Sequence, residues 1–380
     1  MQLTIKHPFL CLPVVSHPKD TRVLKLFDGE KLLLCVYFPF GEAAADNGTY
    51  SYEYLSPLPV SEWMGRTLTL SAEFPAGFED AVTQTDELPV SGEVHPAVHF
   101  TANAGWINDP NGLVYDNGTY HLYYQHNPFG VNWNNMSWGH ATSTDLLHWT
   151  RLPVAMLPDE EGTIFSGCGL TNEHRDEIQA AADSNLYRSL PKDALLFFYT
   201  AAGGSHDSAC SEGKDYTQHT AYSTDHGLTL QKLPGAVVPF LKTDNRDPKV
   251  YWHEKSIFYT ASSEYFIGDF DGFRFTNYST GKRASYTELA YAGQTYNNAP
   301  DRIVLIQWLR TQNPERLYTG MLTLPRELEL IKQDGEWILA QHPVHEWFDA
   351  KKAANTLFHA ADTTSCQAEL TSPAAVGIDV

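Results

Sequence analysis

Along this chain apolar and polar residues alternate in short runs. This is the period of two that marks half-buried strands, not the 3.6-residue period of helices. Up to about residue 95 the runs are broken by Pro, Gly and Asp: 22–27, 32–37, 50–54 and 67–70, followed by a polar loop through Gly92. They predict a small β-sandwich-like domain over residues 1–95, with a packing role favoured over glycan contact. From Trp106 a four-strand pattern recurs. WINDPNGLVY, TYHLYYQ, SWGHATSTD and LHWTRL form one copy; FSGCGLTN, ALLFFYTAAG, HTAYSTDHG and LTLQKL form the next. Both end the third strand on Ser-Thr-Asp. A third copy reads RDPKVYWHE, SIFYTA, SEYFIGDFDG and FRFTNY, and a last one AYAGQTYNNA, RIVLIQWLRT, MLTLPRELEL and EWILAQHP. Strand count and a repeat of roughly 40–50 residues fit the blades of a β-propeller, placed over residues 96–344. Two helical stretches interrupt the pattern. HRDEIQAAADSNLYRSL predicts a surface helix inserted into the second copy, and HEWFDAKKAANTLFHAA a linking helix that opens a short remnant over 345–380.

Composition sharpens this all-β reading. Aromatics are 13% of the 380 residues and charged residues only 19%, a mixture suited to sheets with stacking surfaces. The net charge of −20 argues against nucleic acid or an anionic membrane as partner, since a polyanion would be repelled. No apolar run approaches the roughly 18 residues that a membrane-spanning helix needs. The N-terminal MQLTIKHPFLCLPVV lacks the charged, apolar and small-residue segments of a secretory signal. Five cysteines, Cys11, Cys35, Cys168, Cys210 and Cys366, are scattered without paired spacing, which favours free thiols and a cytoplasmic location. None of the sixteen histidines shows metal-ligand spacing, so neither metal nor cofactor is expected; His121, His126 and His140 read as local hydrogen-bond partners.

The chemistry centres on Trp106-Ile107-Asn108-Asp109-Pro110-Asn111-Gly112. Pro110 fixes the backbone after Asp109 and Gly112 allows a positive φ, so a rigid turn is expected to hold the carboxylate. A second turn is expected at Asp116-Asn117-Gly118, between two strands. A carboxylate held beside amides and an indole suits sugar chemistry: it can attack an anomeric carbon while amides bond hydroxyls and the ring stacks.

GWINDPNG, Gln125-His126-Asn127-Pro128, WNNMSWGHATSTDLLHW, Phe165-Ser166-Gly167, Arg246-Asp247-Pro248, Tyr265 to Gly272 and Gln307-Trp308 occur in one order. Together they resemble glycoside hydrolase family 32, the β-fructofuranosidases (invertases, inulinases, levanases). The resemblance implies a five-bladed β-propeller with a C-terminal β-sandwich and retaining cleavage of terminal fructosyl bonds in sucrose or in levan and inulin. Fructosyl transfer by the same residues is an open variant. It also implies Asp109 as nucleophile, Asp247 as transition-state stabiliser oriented by Arg246, and Asn108, Gln125, Trp133, Phe165, Ser166 and Trp308 lining the fructose pocket. Without the ordered context, Trp133 and Trp308 would read as core packing.

The sequence departs from the family in one place. Relatives open the blade after Arg-Asp-Pro with Glu-Cys-Pro, whose glutamate is the general acid/base, and no Glu-Cys dipeptide occurs here. The first strand of one blade reads as fused to the rest of the next, leaving four blade equivalents; a blade is self-contained enough for such a loss. Only residues 345–380 remain where the family continues into its sandwich. Glu288, Glu264 and Glu254 are the candidate substitutes for the acid/base, with position favouring Glu288. Asp159, Glu160 and Glu161 read as a solvated acidic run. A fructan-binding or vestigial protein is the alternative to an active glycosidase.

Overall fold

The computed structural model describes residues 1–42, 49–173, 189–203, 209–238, 246–249, 257–259, 263–267, 269–270, 275–276, 279–285 and 287–352. The expected helix between Glu173 and Leu190, Glu254, Cys366 and most of the linking helix lie outside the described residues. Strands dominate, and among the described residues no helix is long and apolar enough to cross a membrane.

Two antiparallel sheets occupy the N-terminal region. One has the order Gln2–Thr4, Thr67–Ser71, Asp20–Asp28, Lys31–Phe40; the other has Tyr54–Pro59, Phe9–Val14, Thr83–Thr85. Alternate residues of both, among them Leu10, Leu12, Leu24, Leu26, Val36 and Leu58, meet in one core closed by Phe38, Phe40 and Phe78. The strand Tyr54–Pro59 starts where the sequence pattern ends a strand, because its partner Phe9–Val14 pairs with residues 54–59.

The repeated pattern then folds as a series of sheets. The first sheet orders Thr150–Met156, Ser137–Ser143, Thr119–Asn127 and Gly105–Asp116; the second orders Thr163–Thr171, Leu195–Gly203, Lys214–Ser223 and Gln231–Lys232. The last sheet orders Ala290–Thr295, Ile303–Leu309, Arg326–Gln333 and Glu336–Pro343. Alternation along TYHLYYQ explains the packing of the first sheet. Tyr120, Leu122 and Tyr124 join Val304 and Ile306 of the last sheet in one core. Tyr123, from the opposite face, joins Trp138, Phe197 and Tyr199 against the second. The first sheet is therefore packed between the second and the last. Tyr318–Thr319 runs parallel beside Gly105 and Trp106, joining the last unit back to the first.

The third unit differs from its sequence pattern. Ile257–Tyr259, Glu264–Ile267 and Lys282–Arg283 form its sheet, while Asp269–Phe270 and Phe275–Thr276 pair separately as a hairpin. Residues 246–249, expected to open a strand, are irregular. Asp247 has a φ of 61°, which breaks strand geometry at that point.

Two further expectations are corrected. The Asp-Pro-Asn-Gly stretch is no turn: one strand, Gly105–Asp116, runs through it with register shifts between Ile107 and Pro110 and between Asn111 and Val114. Pairing with Thr119–Asn127 overrides local turn chemistry, and each shift accommodates one extra residue as a β-bulge. Gly112 keeps its positive φ of 52°, and a Cβ there would lie 2.7 Å from the Tyr123 ring. Cys35 and Cys210 form a disulfide across 175 residues, where free thiols are expected; Cys11 and Cys168 are buried and not disulfide-bonded. The pairing is a tertiary contact between the N-terminal sandwich and the second sheet, so spacing along the chain does not announce it.

Candidate active site

Asp109 sits on the bulge between Ile107 and Pro110, where the strand is forced off its regular pleat and re-aims a side chain. Its Oδ2 accepts the Ser166 hydroxyl at 2.8 Å and its Oδ1 the Asn108 amide at 3.1 Å. Asn108 is itself fixed by Trp106 Nε1, which donates to Asn108 Oδ1 at 2.8 Å. Behind them lies Asn111, fully buried. With its carbonyl facing Trp138 Nε1 (3.2 Å) and Gln125 Nε2 (3.0 Å), its amide donates to Ser166 Oγ at 3.3 Å; that orientation is assigned from the hydrogen-bond network. A relay thus runs Asn111 to Ser166 to Asp109. Gln125, 2% exposed, also donates to the Ile164 carbonyl at 2.7 Å, so this buried amide acts as a strut between the first two sheets.

Arg246 and Asp247 approach from beyond the second sheet. The Asp247 backbone N–H donates to Thr200 Oγ1 at 3.0 Å, and Lys249 reaches the Thr295 carbonyl at 2.8 Å. This short segment is moored to the second and last sheets at once. Arg246 Nε lies 3.7 Å from Asp247 Oδ2. Burial raises the Asp109 carboxyl above the usual range, against the Ser166 and Asn108 hydrogen bonds and the Arg246 charge that lower it. Asp247 is pushed up to about 6, by burial first and then by the charge of Asp109, with Arg246 opposing. Its side chain keeps 45% exposure, so protein crowds the carboxyl without sealing it from solvent. The two aspartates, from separate units, therefore act on one another with Arg246 between their demands.

An aromatic arc flanks the pair. Trp106 meets Trp308 at 5.8 Å and Trp308 meets Tyr291 at 6.4 Å; on the other side Phe165 meets Trp133 at 6.0 Å and Tyr216 at 5.8 Å. Trp133 is 42% exposed, so it is not core packing. Asn111, Tyr216 and Tyr291 are the residues that motif reading passes over. Only Asn111 carried a signal, as an amide inside an apolar strand that must find partners.

Glu288 lies on the surface of the last unit. It is exposed on the approach to Ala290–Thr295, and its backbone carbonyl accepts from Arg310, whose guanidinium lies 4.8 Å over the Tyr291 ring. Glu264 pairs in register with Arg283 in the third unit. Neither aspartate hydrogen-bonds to Glu288 or Glu264 among the described residues. In the acidic run, Asp159 pairs with Lys232 at 2.8 Å, anchoring a loop as well as facing solvent.

Propeller sheets that hold two carboxylates within each other's field, amid buried amides and partly exposed aromatic rings, define the class as a β-propeller with a polar and aromatic candidate site. The Glycosyl hydrolases family 32 N-terminal domain matches residues 99–264 and 259–343, and the chain belongs to glycoside hydrolase family 32. The two matched segments meet where the sequence places its fused joint. The levanase of Bacillus subtilis is 40% identical over 191 residues, covering 50% of this chain and 25% of that protein. The fructan beta-fructosidase of Streptococcus mutans is 27% identical over 386 residues, covering 80% and 25%. A fructofuranosidase from Schwanniomyces occidentalis complexed with fructosylnystose shares the fold, with a TM-score of 0.54 and 25% identity over 68% of this chain and 64% of that one. The chain thus spans about a quarter of the length of the levanase and fructosidase it matches.

Proposed function

We propose that this protein acts on terminal fructosyl units of sucrose or fructans, with Asp109 as nucleophile of a retaining hydrolysis. The observation that carries the reading is Asp109 itself, whose two oxygens are held by Ser166 and Asn108 while Arg246 and Asp247 lie in its field. Kinship with the levanase, the fructan beta-fructosidase and an invertase of Schizosaccharomyces pombe supports fructose as the sugar.

In the first step an Asp109 oxygen bonds the anomeric carbon, the glycosidic C–O bond breaks, and the leaving oxygen takes a proton. Water then cleaves the fructosyl ester and regenerates the carboxylate. Asp247 and Arg246 bind hydroxyls of the bound unit, and Trp133, Phe165 and Trp308 face its apolar side. A second reading, fructan binding without turnover, is favoured by one specific observation: neither aspartate hydrogen-bonds to Glu288, the substitute acid that position favours. Protonating a leaving oxygen is worth about 10²–10⁴-fold, so turnover is expected to be slow.

Free fructose released from sucrose, inulin and levan, measured beside Asp109→Ala and Glu288→Gln, tests both readings. The expected outcome is slow release that Asp109→Ala abolishes. Release surviving in Asp109→Ala refutes the nucleophile assignment; no release from any variant, with fructan binding intact, selects the second reading. An unchanged rate in Glu288→Gln removes that residue as the acid.

A further inference from the structure

The Lys31–Phe40 strand of the N-terminal sandwich is tied to both segments that carry one aromatic wall. At Cys35 its disulfide holds Cys210, in the turn that leads into Lys214–Ser223 and so to Tyr216. That turn is further closed by Lys214 N–H donating to the Ser211 carbonyl at 3.0 Å. Two residues along, Tyr37 exchanges two hydrogen bonds with the Asn135 side chain, at 2.9 and 2.8 Å. Asn135 lies two positions after Trp133. Tyr37 uses its backbone N–H and C=O along the strand's edge and Cys35 uses its side chain, so this one strand ties down the Tyr216 turn and the Trp133 loop together.

Between those fixed points lies Phe165, in ring contact with both Trp133 and Tyr216, and next in sequence to the Ser166 that holds Asp109. Phe165 is 6% exposed and serves as the wall's backing. Trp133, 42% exposed, and the partly exposed Tyr216 present ring surface to solvent. Core packing does not account for two partly open rings braced from a separate domain. A furanose ring with its C–H face against an indole and a phenol does account for them.

We propose that Tyr216 binds the sugar unit next to the one at Asp109, with Trp133 spanning the two units, and that the sandwich sets this subsite through Cys35–Cys210 and Asn135–Tyr37. The ligand is a chain of at least two sugar units, not a single fructose. The inference rests on the fructan reading above, and deepens it by giving the sandwich a part in selecting chain substrates.

Calorimetric titration with fructose and with inulin separates the two claims, using the full chain, Tyr216→Ala, Tyr216→Phe and the Cys35→Ser/Cys210→Ser pair. Loss of one aromatic stack is expected to weaken inulin about tenfold, with fructose changed less than twofold. Tyr216→Phe should restore inulin binding, and the serine pair, like the wild type under reductant, should weaken it selectively. Inulin affinity unchanged in Tyr216→Ala, or fructose and inulin weakened in equal measure, overturns the subsite. Inulin affinity unchanged in a folded serine pair overturns the role of the sandwich; should that variant not fold, the reduced wild type decides the point. A wild type that binds neither sugar refutes the fructan reading itself, and the subsite with it.

Discussion

Asp247 illustrates how a single residue's conformation and charge trade stability against function. Its backbone is left-handed, tolerable for Asp but unfavourable for most side chains, and its carboxyl shares a field with Asp109. The folded protein raises its pKa from 3.8 to about 6, so the neutral form is favoured on folding. The contribution is fully present below pH ~4, the unfolded value, and is lost as pH rises through about 6. With 45% of the side chain exposed, solvent screening reduces the cost at neutral pH to about 1 kcal/mol. Asp247→Asn should therefore raise the melting temperature at pH 7, with the gain vanishing by pH 4, while fructan affinity falls. A melting temperature that drops equally at both pH values would remove this account. The Arg-Asp-Pro tripeptide was legible in the sequence, but the charge coupling was not. It depends on Asp109 arriving from a strand 138 positions earlier (247 minus 109).

At the scale of the element, the repeated Ser-Thr-Asp is a device for ending the third strand of a sheet. Ser143 Oγ donates to Asp145 Oδ1 at 3.0 Å, and the same oxygen accepts the N–H groups of Leu147 and His148. In the second copy Ser223 donates to Asp225 at 2.6 Å, and Asp225 accepts Thr229 N–H at 3.0 Å. Each carboxylate satisfies the donors of a tight loop, as a cap does at a helix start. Burial alone would raise Asp145, but hydrogen bonds from His148, Leu147 and Ser143 bring it down to about 2. Its stabilisation is present above the ordinary value near 4 and is lost as pH falls through about 2. Asp145→Ala should cost about 1 kcal/mol in denaturant unfolding at pH 7, the usual worth of a cap. The deficit should close at pH 2; a constant deficit would point to packing instead. These turns were readable because every bond spans four residues or fewer. The bulges around Asp109 were not, since they exist only relative to the neighbouring strand.

Across the whole molecule, Arg302 ties the last sheet and the helix after it to the first sheet. Its guanidinium donates to Glu327 at 2.8 Å in the last sheet, to Glu346 at 2.6 Å in the helix His345–Lys352, and to the Tyr120 hydroxyl at 2.5 Å in the first sheet. Glu327, His345 and Glu346 offer ligand atoms within 4.8 Å of one another, and Arg302 supplies the cation that balances them. Only 14% exposed, it is deep enough that losing it strands two carboxylates. Arg302→Ala should cost about 3 kcal/mol and expose the helix to trypsin before the sheets unfold; a loss under 0.5 kcal/mol, the usual scale of a surface change, would show the network to be peripheral.

What the sequence determined by itself is the part written in local spacing: the strands, the recurring four-strand unit, the turn tripeptides, and the ordered motifs that mark the family. Side-chain alternation and short hydrogen bonds enforce these wherever the chain lies. Only the tertiary structure decided which elements meet. It ran a strand through Asp-Pro-Asn-Gly, bridged Cys35 to Cys210, put Arg310 on the Glu288 carbonyl and tied the sandwich to the loops that carry the aromatic wall. Those outcomes are fixed by packing between units far apart in the chain, where burial and the pairing of backbone groups outweigh any local preference.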